Sequence, residues 1–357
     1  MQSLSWDSLP GWREDDPRPA LAAFLESCGV LRRDPAWLAA CDRANQFAST
    51  TEEAVREYFE QHFTAHQVRD ASGDEVGLIT GYYEPLLHGS RTRTPRFRYP
   101  VYGVPADLVA IDPGEAPSAQ RQRGRVDGAR LVPYYRRAEI ERGAGQLRGR
   151  EIVWVDDAVD LFFLHIQGSG RVRLPDGEMV RLAYADHNGH PYRSIGKRLA
   201  ESGEIALEQA SMQRIKAWAR DNPSRLRELL DYNDRYVFFR ELPGDAPGPL
   251  GAMNVPLTAG RSLAIDPAAV PLGAPVFLST TWPSTSAPLN RLMVAQDTGS
   301  AIKGAVRADF FWGFGDEAGE FAGRMKQSAR LWVLVPNGYS LEALLAGAGR
   351  VKELKPG

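Results

Sequence analysis

From Tyr236 onward the chain is a series of short apolar runs punctuated by glycine and proline. The runs are Tyr236–Phe239, Ser262–Ile265, Val276–Leu278, Leu292–Ala295, Val306–Phe311 and Leu331–Val335. Each has strand length, too short for an ordinary helix, and β-branched and aromatic residues are frequent in them. The C-terminal third therefore reads as β structure. Strand texture also begins at Val76–Tyr83 and returns at Ile152–Val155 and Leu161–Ile166. Val172–Leu174 and Met179–Ala183 flank Pro175-Asp176-Gly177-Glu178, a hairpin signal. Residues 88–130, rich in Arg, Pro and Gly, read as loops and short strands.

The first 70 residues read as helical. Pro19–Ser27 is a short apolar helix, and Asp34-Pro35 opens a second with Asp34 as N-cap. Thr50 and Glu53 suggest a capping box for a third, whose Val55, Phe59 and Phe63 repeat on one face. A helical pattern recurs from 194 to 230 and is broken at Pro223. His62 and His66 have a spacing that could seat a metal on a helix, but no third ligand is nearby, and no metal or cofactor is expected. Leu242–Pro249 is the best linker candidate.

With 357 residues the chain exceeds one ordinary domain, so two are expected. Its 43 Lys and Arg against 45 Asp and Glu leave no basic excess for nucleic acid. No apolar run approaches the roughly 18 residues of a membrane-spanning helix. The opening residues Met1 to Trp6 do not read as a signal peptide, which suits either a cytosolic protein or a form without its targeting segment. Cys28 and Cys41 are either two buried thiols or a disulfide, the latter requiring an oxidising compartment.

Chemistry concentrates between residues 258 and 324. Asp266, Asp297 and Asp309 each stand at a strand end, where an aspartate often caps a turn. Asp297-Thr298-Gly299-Ser300 matches the tetrad of aspartic peptidases, but that chemistry needs two such motifs and there is no second. Aromatic rings sit beside polar turn residues at Tyr82, Tyr83, Tyr236, Phe238, Phe239, Phe310, Phe311 and Trp312. Aromatics mostly fill cores. A flat ring beside carboxylates and amides also suits the apolar face of a sugar. Gln167-Gly168-Ser169-Gly170 adds an amide and a hydroxyl in a glycine-lined loop, without the Lys-Ser/Thr ending of a phosphate loop.

Together these segments resemble the membrane-bound lytic transglycosylase A family of bacterial cell-wall enzymes. The resemblance rests on Gly81-Tyr82-Tyr83-Glu84-Pro85, the run Phe163 to Gly170, Asn188-Gly189-His190-Pro191-Tyr192, Tyr236-Val237-Phe238-Phe239, Val255-Pro256-Leu257-Thr258, and Asp297 through Gly323. The last run is similar to the widespread domain named for its three aspartates. Ser300 stands where the family often has Gly, and the lipoprotein signal and lipidation cysteine of the family are not seen.

The resemblance implies a mainly β fold with peripheral helices. A double-psi β-barrel domain would be formed by residues 1–88 and 236–345, with a smaller β-rich domain, 89–235, inserted and the glycan strand in a groove between them. It implies cleavage of the β-1,4 bond between N-acetylmuramic acid and N-acetylglucosamine in peptidoglycan, leaving 1,6-anhydromuramoyl ends. Asp309 would be the single acid/base and Asp297 its support, with Asp266 structural. Tyr82, Tyr83, Gln167 and Ser169 would contact sugar. Phe310, Phe311 and Trp312 would desolvate Asp309, and Asp297 would raise its pKa by like charge. A monomer in the periplasm is expected, anchored natively as an outer-membrane lipoprotein, with cell-wall enzyme complexes as further partners. In that compartment, and from the family pattern, Cys28 and Cys41 would be disulfide-bonded. A hydrolase using water and a non-catalytic wall-binding module are the alternatives.

Overall fold

The computed structural model describes residues 3–111, 122–207, 210–243, 248–299 and 301–351. The chain divides into two compact units, Met1–Tyr83 with Pro247–Gly357, and Glu84–Ala246.

The first unit is built on a closed barrel. Strand Lys326–Pro336 is followed round the barrel by Pro275–Thr281, Pro288–Asp297, Ser262–Ile265, Arg307–Phe314 and Gly77–Glu84, which pairs back onto the first. Lys326–Pro336 closes the ring because it is long: its first residues pair with Gly77–Thr80 and its later ones with Val276–Ser279 and with Phe63–Gln67. Ser262–Ile265 lies parallel to Pro288–Asp297 but antiparallel to Arg307–Phe314. The core holds Val276, Phe277, Leu292, Val294, Phe310, Val333 and Leu334, all at most 0% exposed.

Peripheral helices cover one side. Arg18–Leu31 buries Leu21, Phe24, Cys28 and Leu31. Pro35–Ala44 begins where the Asp34 side chain accepts from the Ala36 N–H. In the third helix, Glu52–His62, the cap is Thr51, one residue beyond the expected Thr50. The helix stops at His62, so His66 lies on the following strand and the two do not share a helix face. A Cys28–Cys41 disulfide joins the first two helices. Asp15 grips the buried Arg261 through two oxygens, at 2.8 and 2.9 Å, and ties the N-terminal segment to the barrel.

The second unit carries a six-stranded sheet in the order Val237–Leu242, Met179–His187, Ser169–Arg173, Leu86–Ser90, Glu151–Val155, Tyr99–Tyr102, and a separate three-stranded sheet. The expected hairpin is present, with Arg173 opposite Met179. The expected strand Leu161–Ile166 is instead part of a helix, Ala158–Gln167. A continuous apolar run has no period to distinguish the two states. The boundaries decide it: Asp157 caps the Val159 and Asp160 N–H groups, and Gly168 ends the helix at φ +77°. His165 of this helix is buried against Tyr236 and Phe239, and Arg137 donates to its Nδ1 at 2.9 Å. Asn188 is a structural hub. Its amide donates to the Tyr135 and Asp234 carbonyls, while its oxygen accepts from Tyr236 and His190. Glu84 is buried and accepts from Arg171 at 2.8 Å. Part of the linker candidate, residues 244–247, lies outside the described residues, as does Ser300.

Candidate active site

The strand Ser262–Ile265 places the two principal carboxylates. Its Ala264 pairs on one side with Asp309 and on the other with Asp297, where a register shift between Leu263 and Ala264 accommodates the strand end. The two aspartates thus flank one residue, with backbones two strand spacings apart, roughly 10 Å. Gln296 fixes the approach to Asp297. It is fully buried, its amide donating to Ala23 O and Ser27 Oγ and its oxygen accepting from Ser262.

On the far edge of Arg307–Phe314 lies Gly77–Glu84. Thr80 on that strand donates to Asp309 Oδ1 at 2.6 Å. Arg307 donates to the same hydroxyl at 2.8 Å. A guanidinium can only donate, so the single hydroxyl proton of Thr80 is left to face Asp309. Two residues on, Tyr82 packs on Phe311 with ring centroids 5.1 Å apart. Thr80 with Tyr82, and Asp309 with Phe311, follow the period of two that puts alternate strand residues on one face. Between them, Gly81 allows a close approach. A Cβ there would fall 2.6 Å from Trp312 Nε1 and 2.8 Å from Ala322 Cα.

The same alternation corrects part of the expected wall. Phe310 points into the core at 0% exposure. Trp312 stacks on Phe321 at 4.7 Å and donates to Met325 Sδ, on the face away from Asp309. Of the three aromatics expected to desolvate Asp309, only Phe311 shares its face. Tyr83 also differs from expectation: it is buried, and a Cβ on Gly319 would sit 2.9 Å from its ring, so it packs the barrel against the helix Gly315–Arg324.

Both carboxylates are half-buried by surface yet enclosed by protein atoms. Burial pushes Asp309 up to about 6, against the lowering effects of the Thr80 hydrogen bond and of Arg307. Burial likewise pushes Asp297 up to about 6, against the Thr298 N–H, the Tyr82 hydroxyl and the Ala252 N–H. A like-charge contribution from Asp309 is the smallest of those acting on Asp297. The rise at Asp309 is therefore chiefly a burial effect, with like charge between the two acids a smaller contribution. The Tyr82 hydroxyl is buried beside Asp297 without a hydrogen bond of regular geometry.

The partners of the two acids differ. Oδ1 of Asp297 accepts from both Ala252 and Thr298 backbone N–H groups, at 3.0 and 2.9 Å. Among the described residues, Asp309 accepts only from Thr80, leaving Oδ2 open. Asp266 does different work. It accepts from Ala268 and Gly304 N–H groups and lies 3.8 Å from Lys303, pinning a loop, and its pKa is lowered despite burial. Gln167 and Ser169 belong to the second unit, on either side of the Gly168 helix stop, and both are half-buried. Thr80 and Arg307 went unnoticed in the sequence, although each stands two positions from a residue singled out there, Tyr82 and Asp309.

The MltA specific insert domain matches residues 78–240, and the 3D domain matches residues 261–335. The closed barrel is thus a double-psi β-barrel, and the fold is mainly β with helices at its periphery. The membrane-bound lytic murein transglycosylase A of Escherichia coli strain K12 is 36% identical over 271 residues, 73% of this chain and 67% of that protein. A crystal structure of MltA from Neisseria gonorrhoeae is 42% identical with a TM-score of 0.84, covering 95% of this chain and 93% of that one. A structure of Escherichia coli MltA with bound chitohexaose is 29% identical, TM-score 0.70, covering 88% and 90%. With its barrel, its insert and its carboxylate pair, the chain belongs to the membrane-bound lytic transglycosylase A family of enzymes.

Proposed function

We propose that this enzyme acts on peptidoglycan, cleaving the β-1,4 bond between N-acetylmuramic acid and N-acetylglucosamine without water. Asp309 serves as the sole acid/base. The observation that carries this reading is the state of Asp309: a carboxyl group raised to about 6, held among the described residues by one hydrogen bond, with its second oxygen open.

Geometry explains why one carboxyl suffices. The β-linked leaving oxygen departs from the upper face of the muramoyl ring, and the C6 hydroxyl hangs from C5 on that face. Protonated Asp309 gives its proton to the leaving oxygen as the C1–O bond breaks. Its carboxylate then takes the proton of O6 as O6 bonds to C1, forming the 1,6-anhydro ring and restoring the acid. An ordinary glycosidase needs a second carboxylate as nucleophile or base, whereas here the substrate brings its nucleophile. Asp297, bound by two backbone N–H groups, is a positioning residue at the neighbouring strand end. Tyr82, packed on the buried Phe311, offers the apolar surface beside Asp309. Glycan recognition is supported by the chitohexaose complex of the Escherichia coli relative. Among the described residues no helix is long and apolar enough to cross a membrane. We place the enzyme in the periplasm, acting as a monomer and held at the outer membrane by a lipid anchor in its precursor.

The test is digestion of purified glycan strands followed by mass analysis of the ends. Anhydro ends, lighter by one water than reducing ends, support the reading. Reducing ends alone identify a hydrolase, and intact strands a binding protein.

A further inference from the structure

The second unit contains a half-buried charge that forms no ion pair among the described residues. Arg235 precedes the strand Val237–Leu242, and among the described residues it forms no ion pair. Its guanidinium makes a single long hydrogen bond, 3.4 Å to the His190 carbonyl. The neighbouring acid is already engaged: Asp186 is ion-paired with Arg123 and accepts from the His187 N–H. His187 adds no negative charge. Its Nδ1 accepts from Gly189 at 2.9 Å, which puts the ring proton on Nε2, and burial with Arg235 and Arg123 holds its pKa at about 3. Burial lowers the Arg235 pKa and Arg123 lowers it too, against opposite effects of Tyr184 and Asp186, so a half-buried guanidinium stands without an ion pair of its own among the described residues.

An aromatic surface adjoins it. Tyr184 is 42% exposed, with its ring 6.4 Å from His187. A Cβ on Gly168 would sit 3.9 Å from Tyr184, so the Gln167–Gly168 corner lies against the tyrosine. An exposed ring beside a cation suits a ligand with a sugar face and a carboxylate. We infer that Arg235 and Tyr184 form a subsite for a carboxylate-bearing sugar unit of the glycan, the tyrosine taking the ring and the guanidinium the acid. This inference rests on the peptidoglycan reading and names what the second unit recognises. In peptidoglycan the carboxylate is either the lactyl acid of muramic acid or an acid of its peptide.

The experiment measures equilibrium binding in the Asp309→Asn background to three preparations of one glycan. These are peptide-bearing strands, strands stripped of peptide by an amidase and carrying free lactyl carboxylates, and stripped strands with those carboxylates converted to amides. The subsite predicts that at least one carboxylate preparation binds roughly tenfold more tightly than the amide, the scale of one charge-assisted hydrogen bond. Which one does so identifies the source. Arg235→Gln abolishes the difference while leaving amide binding unchanged, Arg235→Lys restores part of it, and Tyr184→Ala weakens all three alike. Thermal melts of each variant report folding. Equal affinities of the Arg235 protein for all three preparations overturn the inference, as does a uniform loss in folded Arg235→Gln. The product chemistry is read separately, so a hydrolase result would leave these affinities standing.

Discussion

Replacing Asp309 with Asn is expected to stabilise the protein at neutral pH. In the folded state burial pushes the carboxyl group up to about 6, against its ordinary 3.8, because it penalises the charge. Between those values the folded state binds more protons than the unfolded state. Stability therefore falls as pH rises through the window from 3.8 to about 6, and the full cost of ionisation is present above it. At about 1.4 kcal/mol per unit the shift corresponds to roughly 3 kcal/mol. The site is half-buried, so screening reduces this to roughly 1–3 kcal/mol. Asn has similar size and keeps an oxygen for Thr80, but it carries no charge. Urea unfolding of both proteins at pH 7.5 and pH 4 measures the difference. The variant should be more stable by that amount at pH 7.5, with the advantage fading toward pH 4. A variant destabilised at pH 7.5, or one whose difference is the same at both pH values, would refute the burial argument.

Three further outcomes are expected. Because a general acid must be protonated, kcat/KM should decline above about pH 6, the value at Asp309. Thr80→Val removes a hydrogen bond that lowers the Asp309 pKa, so this limb should move to higher pH, while Thr80→Ser restores it. Asp297→Asn should move the limb only slightly, toward lower pH, since like charge between the two acids is small beside burial; a shift of about one unit or more would contradict that. Reduction of Cys28–Cys41, whose residues are 13 apart in sequence, should destabilise the protein by roughly 2–3 kcal/mol in urea unfolding, and denatured unreduced protein should show no free thiol.

Much of the candidate site was legible because its acids interrupt apolar runs, although only Asp297 ends a strand, while Asp309, expected at a strand end, lies inside Arg307–Phe314. Asp297 and Asp309 stand out in sequence, and so does Asp34 as a helix cap. What could not be read was which strands are neighbours. Thr80 and Asp309 are 229 residues apart, and only closure of the barrel brings them to 2.6 Å. Facing was partly readable: alternation separates Phe311 from Phe310 and Trp312 once Asp309 is chosen as the reference. It equally separates Tyr82 from Tyr83. Leu161–Ile166 misled because buried helix and buried strand look alike over so short a run; Asp157 and Gly168, just outside it, carried the answer. The charge at Arg235 was invisible, since its isolation depends on Asp186 being taken by Arg123 from another strand.

The central claim is that Asp309 alone carries both proton transfers. The direct measurement is turnover of Asp309→Asn on peptidoglycan, with release of anhydro ends followed by mass analysis and glycan binding measured on the same preparation. Acid–base catalysis contributes about 10²–10⁴ in rate, and both halves of this reaction depend on the same group. The account predicts a loss toward the upper end of that range with binding retained. Turnover above roughly a tenth of the parent value, against that expected minimum loss of about 10², would contradict it and shift the acid/base role to Asp297.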